Sequence, residues 1–418
     1  MALKLPTLAA TGALVLCATV SAQVQQAPEK PWMQWDYATG DWDKNRPLLS
    51  DRGVEIFATY TSQVWGNVTG GLKRGATYSG LFQFGLDADL EKAIGWKGGS
   101  FNTTWVWIAG GSPTTDLTGA LFPASGTEAP TGFRALDLWL QQKFFDDVAT
   151  LRAGLFNIDR DFTVSRNAAL MLNAAFGWPL LYNGSLGGPP AYPFAAPGLY
   201  GSVEPGGGWK FQAAIMQGDV WPPAQNPTNF YWKIDRMNGL LCAGEAQYAY
   251  DKAPLPGTVK LGVMFNTGYP DSVDGTGEAW GGSFFYGIID QLIWREPGCS
   301  ADCPQGLSWF NRTGFSGTLD RSPVGMLFNT GFVYEGLFAG RDDDAAGIGL
   351  VWTQLSAGQA AQLDGSGRGT EMVLEATYQV QISPCLTLQP DVQFIVQPGG
   401  STAVPDALVI GMSASVSF

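Results

Sequence analysis

Asp159, Arg160, Asp161 and Arg166 crowd one short stretch of the chain, and Asp137, Trp139, Gln141 and Arg152 precede it. Carboxylates accept hydrogen bonds, guanidiniums donate them, and an indole offers a flat apolar face. Such a set suits weak, reversible contact with a polar solute better than bond-breaking, with Trp178 or Trp139 as the stacking platform. The sequence contains no histidine. Serine–histidine hydrolysis and ordinary histidine-containing zinc sites are therefore excluded. Glu371 and Glu375 resemble a glycosidase pair only in being two carboxylates. The run Asp342, Asp343, Asp344 lacks the spacing of a calcium loop and reads as a solvated turn. No catalytic residue, metal ligand or cofactor is expected.

The elements that position these residues show a period of two. At the C-terminus, Leu408, Ile410, Met412, Ala414, Val416 and Phe418 alternate with Val409, Gly411, Ser413, Ser415 and Ser417. One face is greasy and the other mostly polar, as in a half-buried strand. The same alternation, followed backwards, gives about sixteen strands, most about 9–13 residues long, the length that crosses a bilayer at a tilt. They begin near Gly53, Tyr78, Gly98, Arg134, Ala149, Pro197, Gly208, Leu240, Gly257, Gly281, Gly306, Val324, Ala345, Thr370, Leu386 and Ala407. Short turns (145–148, 205–207, 252–256, 383–385) alternate with long segments (110–133, 158–196, 217–239), which favours a transmembrane antiparallel β-barrel over a soluble sandwich. In a barrel the greasy face meets lipid and the polar face lines the lumen, which puts Asp137, Trp139, Gln141, Arg152, Glu245, Glu371, Glu375 and Asp391 inside.

The segment 158–196 is too long for a simple connection. It reads as a loop folded into the lumen, with a short helix over 168–172 that Ser165 caps; an external cap is the alternative. Asp159, Arg160, Asp161 and Arg166 would then face Arg152 and Asp137 across a constriction, or else pair among themselves and merely pin the loop.

Residues 1–22 read as an export signal: Lys4, an apolar run to Val20, then Val20-Ser21-Ala22 for cleavage. A lipid anchor on Cys17 is disfavoured by the bulky Val15 and Leu16 before it. Residues 23–52, rich in Trp and Asp, read as a periplasmic segment at the barrel mouth, and 53–418 as the outer-membrane barrel. The net charge is −13 and the leader carries one Lys and no acid, so removing it leaves a more negative chain. That balance argues against nucleic-acid partners and against a phosphate-selective lumen. Cys299 and Cys303, in a turn, read as a local disulfide, with a metal clip as the sharper alternative.

Taken together, GNVTGGLKRGATYSG (66–80), DLEKAIGWKGGSF (89–101), LRAGLFNIDRDF (151–162), NAAFGWP (173–179), PAYPFAAPG (190–198), GLFAGRDDDAAGIG (336–349) and LQPDVQFIVQPGG (388–400) make the chain resemble the carbohydrate-selective porin (OprB) family. The resemblance implies a sixteen-stranded barrel of the Gram-negative outer membrane that passes glucose and related small sugars. Aromatic faces would stack on a sugar ring while polar groups meet its hydroxyl rim. A general, non-selective porin is the runner-up, and an adhesion barrel or a barrel hydrolase are the readings from other classes. Outer-membrane lipid is the expected surround, and the barrel could act as a monomer or a homo-oligomer.

Overall fold

The computed structural model describes residues 31–179, 184–251, 254–300, 303, 305–363 and 369–418. The leader read over 1–22, and the first residues after it, lie outside the described part. Sixteen strands follow one another. They are β1 Val54–Thr69, β2 Gly75–Asp89, β3 Gly99–Gly110, β4 Gly132–Phe144, β5 Ala149–Phe156 and β6 Ala196–Gly206. Next come β7 Trp209–Gln217, β8 Leu240–Ala249, β9 Gly257–Asn266, β10 Gly282–Arg295 and β11 Gly306–Ser316. The last are β12 Val324–Glu335, β13 Ala345–Leu355, β14 Thr370–Ser383, β15 Leu386–Val396 and β16 Ala407–Ser417.

Each strand pairs antiparallel with its neighbours, and β1 pairs with β16, so the sheet closes into a barrel. Closure removes the sheet edges and satisfies the backbone within the wall. The alternation of the sequence becomes an inside and an outside. Leu261, Leu374, Ile410 and Met412 are exposed on the outer face, whereas Glu371, Glu375, Gln393 and Val409 are buried on the inner one. One bulge interrupts β4: Asp137 pairs with Thr104 but Ala135 pairs with Trp105, leaving Leu136 between them. The extra residue resets the alternation, so Arg134 and Asp137 are both buried on the inner side.

At the short-turn end, residues 31–52 lie against the closing strands. Ala38 N–H donates to the Ser417 carbonyl at 2.8 Å. Arg46 sits between the rings of Tyr37 (3.7 Å) and Trp42 (4.0 Å) and donates to the Ile56 carbonyl at 3.1 Å. Cys299 and Cys303 are joined as a disulfide in the turn between β10 and β11.

The triple-aspartate turn between β12 and β13 departs from the solvated reading. Asp342 and Asp343 are exposed, but Asp344 is buried. Asp344 takes two hydrogen bonds from Arg341 (2.8 and 2.7 Å), one from the Tyr378 hydroxyl (2.6 Å) and one from Gln381 N–H (2.9 Å). It is a clamp between neighbouring strands, and solvation serves only its two predecessors.

The inner face is polar only in part. In the long-loop half of the barrel Trp65, Val351, Val373, Ile395 and Val409 point inward and are fully buried. They join Phe156 at the end of β5 and Phe122, Phe162, Met171 and Phe176 from the connecting loops in one apolar cluster. The barrel therefore contains a packed core in that half, built from wall and loop together, and burial of this apolar surface holds the loops inside.

Candidate solute path and constriction

Two long connections enter the barrel. The segment after β5 runs along the inside of the wall and bonds to strand after strand. Thr163 N–H donates to Glu245 on β8 (3.2 Å), and the Ser165 hydroxyl donates to Asp290 on β10 (2.6 Å). Asn329 on β12 donates to the Ala175 carbonyl (2.9 Å), and Arg312 on β11 to the carbonyls of Phe176 and of Gly177 (2.7 Å). Leu172 and Asn173 N–H donate to Glu375 on β14 (2.5 and 3.1 Å), and the Asn173 amide donates to Gln393 on β15 (2.9 Å). A segment with partners on so many strands of a closed barrel lies across its interior. Gly347 and Gly349 on β13 permit the closest approach: a Cβ there would stand 2.5 Å from the Met171 and Phe176 side chains.

The connection after β3 also turns inward. Leu121 and Phe122 N–H donate to Glu371 (2.7 and 3.4 Å), Gln393 donates to the Ala124 carbonyl (2.8 Å), and Ser125 donates to Gln63 (2.5 Å). Between the two loops lies a cavity of about 620 Å³ lined by loop residues, among them Leu121, Glu128, Asp159, Met171, Trp178 and Tyr192. Burial pushes the Glu128 carboxyl up, while Ser112 and Thr114 hydroxyls, the latter at 2.8 Å, hold it in place. A second cavity of about 520 Å³ opens toward the short turns and is lined by Glu55, Asp87, Asp89, Lys143 and Trp139.

Near Trp139 two ion pairs cross from loop to wall with opposite polarity. Arg152 on β5 meets loop Asp161 at 2.5 Å, and loop Arg160 meets Asp137 on β4 at 2.9 Å. Arg152 also donates to Gln141 (3.2 and 3.1 Å). Its guanidinium lies 4.7 Å from the ring centres of both Trp139 and Tyr200, and Arg160 lies 5.1 Å from Trp139. The four charges sum to zero. Of these side chains Arg160 is the most open, at 35% exposure, against 5% for Asp137 and 7% for Arg152.

A barrel with these inward loops has relatives. The family model described as carbohydrate-selective porin, OprB family, matches residues 73–418. This chain belongs to that family. Porin B of Pseudomonas aeruginosa is 25% identical over 98% of this chain and 96% of its own length. The putative porin QuiX of Acinetobacter baylyi is 24% identical over 97% of this chain and 98% of its own. The high-pH structure of Pseudomonas putida OprB superposes with a TM-score of 0.83 at 24% identity, covering 92% of this chain and 99% of that one. The family and the two relatives are porins, which are channels rather than enzymes, and barrel and family are consistent with an outer-membrane location.

Within this OprB-family barrel the residues singled out from sequence do not all converge. Asp137, Trp139, Arg152, Arg160 and Asp161 come together. Asp159 points away: its carboxylate accepts the Tyr192 N–H (3.1 and 3.2 Å), and burial raises its pKa to about 7. Arg166 leaves the group altogether, lining a third cavity with Glu335, Gln379 and Met33. Trp139 is only 6% exposed, its ring flanked by the two guanidiniums, while half-buried Trp178 borders the upper cavity edge-on to Phe284. Ser165 accepts the Ala168 N–H at 3.1 Å but is not the N-cap, which is Asn167, and the helix is a single turn, Ala168–Leu170. Sequence reading passed over Asp290 and Gln63, which anchor the loops. Asp290 continues the inner-face series Phe284, Tyr286, Ile288, and an acid at the end of an apolar series was the available signal. The inward turn of 111–131 was missed too; Leu117, Leu121 and Phe122 are too apolar for a loop bathed in water.

Proposed function

We propose that this porin is a passive outer-membrane channel for monosaccharides such as glucose, and that solutes pass from the loop-lined cavity to the lower one beside Arg160 and Asp137. The crossed ion pairs at Trp139 support this reading above all. Their net charge is zero, so a neutral solute meets strong local dipoles without a field that would draw ions of one sign. The exposed Arg160 guanidinium offers donors to a hydroxyl rim, and Trp178 and Tyr192 offer ring faces in the cavity above. Every contact is weak or shared with a protein partner, which allows release. In this reading Arg166 lies off the path, Asp159 borders the upper cavity while holding the Tyr192 N–H, residues 1–22 are removed on export, the short turns face the periplasm, and the long loops face outward.

Liposome swelling tests the proposal. Purified protein in liposomes should admit glucose faster than an amino acid of similar size and faster than a disaccharide. Equal rates for glucose and the amino acid would make it a general porin, and no swelling would remove the channel reading.

A further inference from the structure

The wall of the barrel has a notch. Pairing between β4 and β5 stops at Leu138 and Leu155, and β5 and β6 end their pairing at Phe156 and Ala196. Residues 132–137 of β4 therefore continue toward the long-loop end with no strand partner on that side. The gap is closed by the connection between β7 and β8. Ala135 N–H donates to the Thr228 carbonyl at 3.3 Å. The side chain of Asn229, fully buried, donates to the carbonyls of Ala135 (2.8 Å) and Pro193 (3.1 Å). These are the bonds a missing strand would have made.

The outer side of this patch continues the outer face of the wall. Phe133, exposed on β4, stacks on Trp105 of β3 at 5.3 Å; Trp105 meets Phe230 at 6.0 Å, and Phe230 meets Trp232 at 5.8 Å. Phe230, Trp232 and Ile234 are 41%, 51% and 59% exposed, within the span of the outer-wall residues Phe285 (40%) and Leu261 (66%). The Trp232 indole N–H is bonded inward, to the Asn229 carbonyl at 2.8 Å, so what the ring presents outward is hydrocarbon. Charges mark the rim of the patch: Lys233, between Trp232 and Ile234, pairs with Asp235 at 3.1 Å, and Arg236 lies over Tyr269.

We propose that residues 228–234 are a bilayer-facing segment of the wall, and that the partner they fit is the acyl layer of the outer leaflet just below its headgroups. The occupant follows from continuity: the ring stack joins this segment to Phe133, a wall residue on the lipid side, with no step between them. A connection that an outer loop would place in water is instead a patch that completes the hydrophobic belt where two strands fall short. The inference rests on the bilayer-spanning reading of the barrel and goes beyond solute passage.

Nitroxide labels on full-length protein in liposomes test it, with Cys17→Ala, Cys242→Ala and Cys385→Ala removing every thiol outside the Cys299–Cys303 disulfide. Labels are placed by Trp232→Cys or Ile234→Cys, with Leu261→Cys as the wall reference and Asp274→Cys as the loop reference. Collisions are measured with oxygen, which concentrates in lipid, and with a water-soluble nickel chelate. The proposal expects the oxygen-to-nickel ratio at 232 to match that at 261 and to exceed that at 274 several-fold. A ratio at 232 like that at 274, with 261 lipid-like, overturns it. Shielding from both probes also overturns it, because protein would then cover the patch. A water-like ratio at 261 would instead defeat the bilayer-spanning reading itself. Should Trp232→Cys fail to fold for want of its bond to Asn229, Ile234→Cys gives the same readout.

Discussion

The inner wall at β4–β5 and the inner wall at β14–β15 both carry buried charge, and they use it in different ways. At β4–β5, Asp137 and Arg152 meet opposite charges on the loop, and Arg160 remains open to the lumen. At β14–β15, Glu371 and Glu375 meet backbone N–H groups: Leu121, Phe122 and Gly399 for the first, Leu172 and Asn173 for the second. A carboxylate bound to N–H groups is a fastener, since its charge is balanced by fixed dipoles and its oxygens are occupied. A carboxylate bound to a half-exposed guanidinium leaves donors free for a passing solute. The same residue types thus build a loop anchor on one side of the pore and a polar lip on the other.

The largest expected effect comes from undoing the fasteners. Glu371→Ala with Glu375→Ala orphans the loop N–H groups they hold, at a cost of about 1–3 kcal/mol for each group left buried. Both loops should loosen, which single-channel recording would show as larger, noisier conductance with poorer discrimination between glucose and a disaccharide. Unchanged conductance would mean that apolar packing alone holds the loops. Next in size is Gly349→Val, whose added side chain collides with Phe176. Overpacking of this kind costs about 1–3 kcal/mol, and thermal unfolding should show it together with a wider pore.

A smaller effect is expected at the lip. Arg160→Gln should bring the glucose and amino-acid swelling rates toward each other while leaving the barrel's stability nearly unchanged, since a pair with one partner a third exposed contributes little. A double-mutant cycle with Asp137→Asn should return a coupling on the order of 1 kcal/mol or less in stability. A loss of stability as large as that from the fastener variants would erase the contrast between the two walls.

A separate effect, read on stability alone, is a pH dependence at Asp159. Burial raises its folded pKa to about 7, above its ordinary value of 3.8. Between those values the folded state holds a proton that the unfolded state has lost, so this residue makes stability fall as pH rises toward 7 and adds no further slope above it. Melting temperature against pH should show a slope over that window that Asp159→Asn flattens. A slope identical in the variant would assign the titration elsewhere.

The barrel was legible because lipid on one side and protein on the other force a period of two. Strand starts read from alternation fall within three residues of those observed, from Val54 to Ala407. The lip was half legible. Alternation put Asp137, Trp139 and Arg152 inside, and proximity in sequence grouped Asp159 to Arg166. Proximity misleads in a loop: one tight turn at Ile158–Arg160 sends Asp159 toward Tyr192 while Arg160 and Asp161 reach the wall. Alternation also says which face a residue takes but not what it meets there. It placed Glu371 and Glu375 inside without showing that backbone N–H groups of distant loops would close over them. The apolar inner residues of the long-loop half, such as Val351 and Val373, contradict a wholly polar lumen, and only the packed loops explain them.

The loop after β5 has a consequence for the barrel as a mechanical object. Because it is tied to β8, β10, β11, β12, β14 and β15, it acts as internal bracing that resists flattening of the cylinder. The calibre of the opening is then set by the length and bonding of the brace, not by the number of staves. Such a pore can be narrowed or widened by changing a few loop residues, while strand count, tilt and fit to the bilayer stay as they are.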